Sequence, residues 1–348
     1  MTLMKISILF LMLAATLAAE NYTARRVTVQ GVPVITLTDA AQGVEVSVLP
    51  SIGNRVSEMK VHGKNILFFQ SGNLAELQKK PDLSGIPFLA PWANRLNEES
   101  FWANGKKYPF NMTLGNVRGP IPIHGLLMDS DLWEVVEVAA DRKSAHVTSR
   151  LAFWKHPELM AQWPFAHDYE MTYRLADGML EIKLTVTNLS ADPMPIVLGF
   201  HPFYRIPDVP HDQWMANIPA RKIVTADSRL VATGEFTPFD LPTPLPLKGH
   251  PLDTGFTDLE RDAEGRAHFS IEAQGMKVET LFGPKYPASV IYSPPPAEGQ
   301  NREFICIEPM AGITNAVNLN HDGKYPNLQT VAPGAKWTES FWVRASGI

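Results

Sequence analysis

Alternating apolar and polar residues recur along the chain and predict β-strands. In MLEIKLTVTNLS (179–190) apolar side chains occupy one face, and Glu, Lys and Thr occupy the other. This is the period-two pattern of a strand with one buried face. Similar runs are VEVSVLP (44–50), HVTSRLAFW (146–154), YEMTYRL (169–175), MKVETLF (276–282), SVIYSP (289–294), EFICIEP (303–309) and ESFWVRA (339–345). Turn-forming segments such as ADG, SADP and PGAK lie between strands, so the pattern predicts an all-β fold.

Helical signals are few, and the chain shows no clear boundary between domains. NLAELQKK (73–80) predicts a short helix that ends before Pro81. The proline-rich segment LPTPLPLKGHP (241–251) resembles an interdomain linker, but the strand pattern continues unchanged on both sides. We therefore interpret it as a long loop, and we predict one large antiparallel β-sandwich domain over residues 20–348.

The first nineteen residues have the pattern of a secretory signal peptide. Lys5 precedes an apolar run from Ile6 to Leu13, and small residues follow at Ala18 and Ala19. The apolar run is shorter than the roughly 20 residues that span a bilayer. We therefore expect residues 1–19 to be removed and the mature protein to be exported to a periplasm or secreted, without a membrane anchor.

Charge and cysteine content narrow the classes of partner. The formal net charge of the 348-residue chain is -5, and no long basic or acidic run occurs. This balance disfavours nucleic acid or an anionic membrane as the partner and favours a small or uncharged ligand. Cys306 is the only cysteine, so the chain forms no internal disulfide. The sequence does not indicate an oligomeric state.

Four segments place ionisable residues in apolar or turn surroundings: Arg95 in GIPFLAPWANRL (85–96), His124 in IPIHGLL (121–127), His201 in LGFHPFYRIP, and Glu308 in ICIEPMAGITNA (305–316). Taken alone, Arg95 is most simply a surface residue in an ion pair, and His124 is most simply a core residue. Glu308, however, ends an apolar strand, where an ionised carboxylate is costly unless it is paired or faces a polar cavity. A glutamate there and a histidine at another strand end could form a general base and general acid pair.

Other chemistries receive less support from the motifs. The chain has no H-E-x-x-H motif and no closely spaced Cys/His set, so we predict no metal site. It has no G-x-S-x-G motif and no alternation of strands and helices, which disfavours a serine hydrolase.

Five motifs in a fixed order give the chain a family resemblance. PFLAPWANRL, HGLL, LGFHPFYRI, LDTGF and IEPMAGITNAVNL, together with flanking segments at 49–67 and 328–343, resemble the aldose 1-epimerase (galactose mutarotase) family. The resemblance implies a β-supersandwich and a cofactor-free isomerase that acts on the anomeric centre of a sugar. It implies that His201 is the general acid and Glu308 the general base. It also implies that Arg95, His124 and Asp253 hold the hydroxyls of the sugar.

The sequence is compatible with several functions. We predict interconversion of the anomers of a free hexose such as glucose or galactose. The alternatives are an epimerase of a modified sugar, a noncatalytic carbohydrate-binding protein, and a polysaccharide lyase with a related fold. A phosphorylated hexose is disfavoured by the expected export and by the lack of an Arg/Lys cluster. Aromatic residues near the motifs, Trp92, Trp163 and Phe203, are candidates for stacking on a sugar, although aromatic residues in a sandwich are more often in the core.

Overall fold

The structure is a computed structural model that describes residues 21–82, 84–113, 117–118, 121–295 and 302–348. The predicted signal peptide, residues 1–19, lies outside the described residues. Within the described ranges, no helix has both the length and the apolar character needed to cross a membrane.

Strands dominate the described chain, and the three α-helices are short. The first half contains β1 (Tyr22–Val29), β2 (Val32–Asp39), β3 (Val44–Leu49), β4 (Arg55–Val61), β5 (Lys64–Asn65), α1 (Leu74–Lys79), β6 (Phe88–Leu89), β7 (Ser100–Ala103), β8 (Lys106–Pro109), β9 (Val117–Arg118), β10 (Ile121–Pro122), β11 (Glu134–Ala140), β12 (Ala145–Ala152), α2 (Pro157–Gln162) and β13 (His167–Ala176). The second half contains β14 (Met179–Asn188), β15 (Met194–Ile196), β16 (Gly199–Phe200), β17 (Phe203–Tyr204), β18 (Met215–Asn217), β19 (Ala220–Ala226), β20 (Ala232–Pro238), β21 (Leu245–Pro246), β22 (Leu252–Leu259), β23 (Ala267–Ala273), β24 (Met276–Phe282), β25 (Ala288–Ser293), β26 (Ile305–Met310), α3 (Ala316–His321), β27 (Gln329–Val331) and β28 (Lys336–Ser346).

Three large antiparallel sheets organise these strands. The first contains β1 to β5 in chain order, and the second has the order β11-β12-β13-β14-β28-β24-β23-β18-β21. The third has the order β20-β19-β22-β25-β26-β16-β6, with β17 also paired to β26. The predicted all-β class and antiparallel sandwich are confirmed, and each strand run predicted from the period-two pattern is found.

The alternation in β14 shows why these segments form strands. Leu180, Ile182, Leu184 and Val186 are fully buried, whereas Lys183 between them is exposed. β14 lies between β13 and β28, so its backbone groups are bonded on both sides. The one predicted helix is also found, as α1. It begins after Asn73, because the Asn73 side chain caps the helix by accepting hydrogen bonds from the amides of Ala75 and Glu76.

Aromatic side chains join the nine-stranded and eight-stranded sheets. The ring of Phe88 on β6 lies 5.3 Å from that of Tyr169 on β13, centroid to centroid. The ring of Phe200 on β16 lies 4.9 Å from that of Phe341 on β28. These contacts belong to one large hydrophobic core, and they fix the strand that leads directly to His201.

The proline-rich segment 241–251 differs in part from the predicted loop. It contains the two-residue strand β21, which pairs with β18 at the edge of the nine-stranded sheet. The apolar residues Leu245 and Leu247 are buried there, so the segment packs against the sheet.

Replacing Leu184 with alanine tests the central position of β14. We expect Leu184→Ala to lower the free energy of unfolding by about 2–5 kcal/mol, because it leaves a cavity between two packed sheets. The exposed neighbour gives the control, since Lys183→Ala should change stability by no more than about 0.5 kcal/mol. Urea unfolding of both variants measures the difference, and equal effects would contradict the packing described.

Candidate functional site

Strand β26 holds Glu308 and is bordered by two short strands that flank His201. Gly199 on β16 pairs with Met310, and Phe203 on β17 pairs with Cys306. This single antiparallel register places His201 directly opposite Glu308. Cross-strand neighbours share one face of a sheet and lie close together. Residues about 100 positions apart in the chain therefore meet through backbone pairing.

His201 and Glu308 are in direct contact. Nε2 of His201 lies 3.2 Å from Oε1 of Glu308, and both side chains are almost fully buried. The backbone amide of His201 donates to the carbonyl of Pro87 at 2.9 Å. The imidazole stacks on Phe203, with 4.6 Å between ring centroids and an interplanar angle of 15°. The histidine is thus held by its backbone, its ring and its carboxylate neighbour.

Burial dominates the electrostatics of Glu308. Desolvation raises the pKa of its carboxyl well above the ordinary value, the nearby charge of Asp253 raises this pKa further, and Arg95 lowers it. The second carboxyl oxygen, Oε2, is buried and has no hydrogen-bond partner among the described residues. A buried oxygen of this kind is costly unless a ligand or water satisfies it, so the carboxyl has the properties expected of a proton-transfer group.

A left-handed turn brings His124 to the same place. His124 and Gly125 have φ angles of 60° and 65°. A side chain on Gly125 would lie 2.1 Å from the carbonyl oxygen of Ala90, so only glycine allows this close approach. The amide of His124 donates to the carbonyl of Asn94 at 3.1 Å. The His124 ring then meets the His201 ring edge to face, at 5.2 Å between centroids.

Arg95 and Asp253 complete the set of predicted residues. Nη2 of Arg95 lies 4.0 Å from Oδ2 of Asp253. Asp253 lies on β22, which pairs with β25, and β25 pairs with β26. Both charges act on the carboxyl of Glu308. The structure therefore brings together all five residues that the sequence analysis selected.

Some details differ from the sequence analysis. Glu308 lies inside β26, which continues to Met310, rather than at the end of a strand. Trp92 and Trp163 are fully buried and stack on each other at 6.3 Å, so they belong to the core and offer no surface to a sugar. Phe203 is likewise buried and faces the ring of His201.

Asn94 is a site residue that the sequence analysis did not select. It has a φ of 54°, and its Oδ1 accepts hydrogen bonds from the backbone amide and from Nη1 of Arg95, at 2.8 and 3.2 Å. Its carbonyl also receives the amide of His124. Two features of the sequence could have indicated Asn94: it directly precedes Arg95, and asparagine tolerates the left-handed region better than most residues.

A cavity lies elsewhere on the molecule, away from the five predicted site residues. Its volume is about 650 Å³, and its charged lining residues include Lys222, Asp258, Arg261, Lys285 and Lys324. None of the five predicted site residues lines it. Size alone favours this cavity as a ligand site, but the buried acid and base groups lie around Glu308, and we assign the chemistry there.

The arrangement can exchange protons with a ligand. It joins a buried carboxyl, an imidazole in contact with it, a second imidazole, and an arginine beside a carboxylate. Across the part of the chain that the structure describes, no cluster of three or more His, Cys, Asp or Glu side chains is placed to hold a metal ion. General acid and base catalysis at a bound small molecule fits this set of groups.

The chain is similar to a known family and to known proteins. The family model described as aldose 1-epimerase matches residues 33–344. YphB, an uncharacterized protein of Escherichia coli (strain K12), is 26% identical over 274 residues, which cover 76% of this chain and 84% of YphB.

Solved structures share the fold. A galactose mutarotase-like protein from Clostridium acetobutylicum superposes with a TM-score of 0.82 at 22% identity, over 94% of this chain and 99% of its own. Galactose 1-epimerase from Lactobacillus acidophilus NCFM superposes with a TM-score of 0.75 at 14% identity, over 93% and 99% of the two chains. At these identities the likeness shows the supersandwich fold.

The raised pKa of Glu308 predicts how stability depends on pH. The folded protein holds this proton more tightly than the unfolded chain, whose glutamate pKa is about 4.3. The stability that the neutral carboxyl contributes is therefore complete below this pH and is lost as the pH rises toward the folded-state pKa. Glu308→Gln keeps a neutral group at every pH. We expect the variant to gain stability relative to wild type as the pH rises from about 4.5 to 8.

Urea unfolding at a series of pH values measures this difference. Glu264→Gln serves as the control for losing a surface carboxylate, because Glu264 is exposed. A Glu308→Gln difference that stays constant over this range, or that favours wild type increasingly as the pH rises, would show that burial does not penalise the charged carboxylate.

Proposed function

We propose, because the chain belongs to the aldose 1-epimerase family, that it interconverts the α and β anomers of a free aldohexose such as glucose or galactose. The observation that carries this proposal is the 3.2 Å contact between Nε2 of His201 and Oε1 of Glu308. An acid and a base so placed can reach the two oxygens bonded to the anomeric carbon of one sugar.

Glu308 acts as the general base and His201 as the general acid. The Glu308 carboxylate removes the proton from the hydroxyl on C1 while the protonated imidazole of His201 gives a proton to the ring oxygen. The bond between C1 and the ring oxygen breaks, and a carbonyl forms at C1. After rotation about the C1–C2 bond, Glu308 returns its proton to the carbonyl oxygen, and His201 removes the proton from the attacking hydroxyl. The ring closes as the opposite anomer, with both groups restored.

The raised pKa of Glu308 supports its role as the base. A carboxyl with an ordinary pKa is a weak base at neutral pH, whereas a buried carboxyl whose pKa is raised accepts a proton more readily. The positive charge of Arg95 opposes this increase in pKa, so the carboxylate form remains accessible. The reaction is redox-neutral and adds or removes no atoms. Proton transfer by these two residues is therefore sufficient.

Arg95, Asp253 and His124 hold the sugar against the reacting pair. Arg95 supplies donors and Asp253 supplies acceptors 4.0 Å away, and this combination suits a ring that carries neighbouring hydroxyls. His124 meets His201 edge to face and limits how the imidazole can turn. Holding the sugar ring in one position itself contributes to catalysis, because the reacting oxygens are then already oriented toward His201 and Glu308.

Optical rotation of freshly dissolved α-D-glucose and α-D-galactose tests the activity. We expect wild type to accelerate equilibration, and Glu308→Gln and His201→Asn each to lose about 10²- to 10⁴-fold in kcat/KM, since each removes one proton-transfer group. Matched controls are Glu264→Gln and His62→Asn, which alter exposed residues and should retain activity.

The outcomes separate the candidate functions. Lack of acceleration with both sugars by a folded wild-type protein would reject the free-hexose proposal. Thermal stabilisation by a sugar without turnover would then indicate a noncatalytic carbohydrate-binding protein. Full activity in both site variants would reject the acid and base roles while leaving the activity itself in place.

We also propose that residues 1–19 direct export of the protein, because Lys5, the apolar run and the small residues that follow form a signal-peptide pattern. When the full chain is expressed in a Gram-negative bacterium, we expect the protein in the periplasmic fraction with an N-terminus near Glu20. A variant that lacks residues 2–19 should stay in the cytoplasm. Cell fractionation and N-terminal sequencing measure both results, and an uncleaved chain in the cytoplasm would contradict the proposal.

A further inference from the structure

One row of residues runs across the eight-stranded sheet from the acid and base pair to an aliphatic region. Glu308 pairs with Val290, Val290 pairs with Gly255, and Gly255 pairs with Val224. Directly opposed residues in an antiparallel sheet point to the same face. The row therefore shares the face of the sheet that carries Glu308 and His201, and each step along it is about 4.8 Å.

A small recess lies along this row beside Arg95 and Asp253. Its volume is about 20 Å³, and a cavity needs roughly 10–15 Å³ to hold one water. One wall is polar and consists of Asn94, Arg95, Asp253 and Thr314. The other wall is aliphatic and includes Val224, Ala226, Leu230, Ala232 and Val290, next to Gly255. The recess thus has room for about one hydroxyl-sized group.

The direction of the row indicates which part of the sugar enters the recess. In the proposed reaction His201 meets the ring oxygen, and Glu308 meets the oxygen on C1. From His201 past Glu308, the row continues to Val290 and Gly255. It therefore continues from the ring oxygen past C1, toward C2. The exocyclic C6 group lies on the opposite side of the ring oxygen, away from the recess.

The hairpin between β19 and β20 places Leu230 in the recess wall at a conformational cost. Leu230 has a φ of 61°, a left-handed conformation that is unusual for a bulky side chain. The turn is fixed by Asp227, whose carboxylate accepts hydrogen bonds from the amides of Arg229 and Val231 and from the Arg229 guanidinium. Nη1 of Arg229 also donates to the carbonyl of Asn97 at 3.4 Å, which links the turn to the segment that carries Arg95. The amide of Leu230 donates to the carbonyl of Asp227, and the amide of Asp227 donates to the carbonyl of Val231, both at 2.9 Å. A three-residue hairpin loop of this kind places its last residue in the left-handed region, so the turn itself fixes Leu230 at the recess wall.

Gly255 provides the space of the recess between two valines. A β-carbon at this position would lie 3.1 Å from Cβ of Val224. Its φ lies outside the left-handed region, so the backbone itself does not require glycine. An alanine here would fill part of the recess with no backbone strain, and Val224 would shift by a few tenths of an ångström to make room.

We propose that Leu230 and Gly255 set the size limit for the group on C2, so that the substrates are neutral aldoses with a hydroxyl or a hydrogen at C2, and 2-acetamido sugars are excluded. This inference rests on the proposed function, which supplies the orientation of the sugar. The polar wall bonds the C2 hydroxyl, and the aliphatic wall leaves no space for an acetamido group.

Reciprocal variants test this assignment with glucose, 2-deoxyglucose and N-acetylglucosamine. Wild type should act on glucose at least about 10-fold better in kcat/KM than on N-acetylglucosamine, since one misfitting group changes specificity by about 10- to 200-fold. Leu230→Gly opens the wall and should raise the ratio of N-acetylglucosamine to glucose activity about 10-fold or more. Gly255→Ala narrows the recess and should lower activity on glucose more than on 2-deoxyglucose. Leu241 is exposed and lies outside the recess, so Leu241→Gly serves as the control. This variant should change neither the ratio of N-acetylglucosamine to glucose activity nor the ratio of glucose to 2-deoxyglucose activity.

Stabilisation against thermal unfolding by each sugar gives a second readout that does not need turnover. The size limit is overturned if wild type binds and turns over N-acetylglucosamine as well as glucose, or if Leu230→Gly and Gly255→Ala leave both ratios unchanged. If wild type accelerates mutarotation of no sugar but binds glucose in preference to N-acetylglucosamine, the proposed reaction is rejected and the size limit is retained. Failure of every sugar to bind or react would overturn both.

Discussion

The site depends on one backbone register, the pairing of residues 199–204 with residues 305–310. Gly199 and Phe203 are bonded to the same strand on either side of His201. The histidine therefore has no freedom to slide relative to Glu308, because a slip of one residue would turn its side chain to the opposite face of the sheet. Phe200 and Ile307, which point to that opposite face, are buried in the main core. The packing energy of the sandwich thus fixes the distance between His201 and Glu308.

Glu308 places an ionisable carboxyl in a buried, apolar part of the fold, where a charge is unfavourable. Its strand is apolar, its carboxyl is buried, and Asp253 adds a second negative charge nearby. Removal of a carboxylate from water is destabilising unless a partner compensates for it. His201 and Arg95 compensate in part, by contact and by charge respectively. Such conflicts are expected where function requires them, and here the conflict raises the pKa of the group that would accept a proton from the substrate.

Local pattern was sufficient to predict the strands, but only part of the site. The period-two alternation of β14 is a property of neighbouring residues, and burial of one face follows from it directly. The ordered motifs identified Arg95, His124, His201, Asp253 and Glu308, but the pairing that joins residues 201 and 308 is long-range and has no local signature. The same limit explains why the sequence left two interpretations open for Trp92 and Trp163, a sugar-stacking surface and a core position. Their burial depends on segments packed around them that no short window contains.

The strand order places the proposed proton-transfer pair and the proposed size limit on different strands. β26, which carries Glu308, lies inside the sheet with β25 on one side and β16 and β17 on the other, whereas β20 is an edge strand. A change at Glu308 or His201 disturbs a buried register and the core beneath it. Leu230 is 38% exposed, and it lies in a hairpin whose turn is fixed by the contact between Asp227 and Arg229. A change at Leu230 therefore alters only this hairpin. If the proposed roles hold, a sheet built in this way can vary the group accepted next to the anomeric carbon while His201 and Glu308 stay in place.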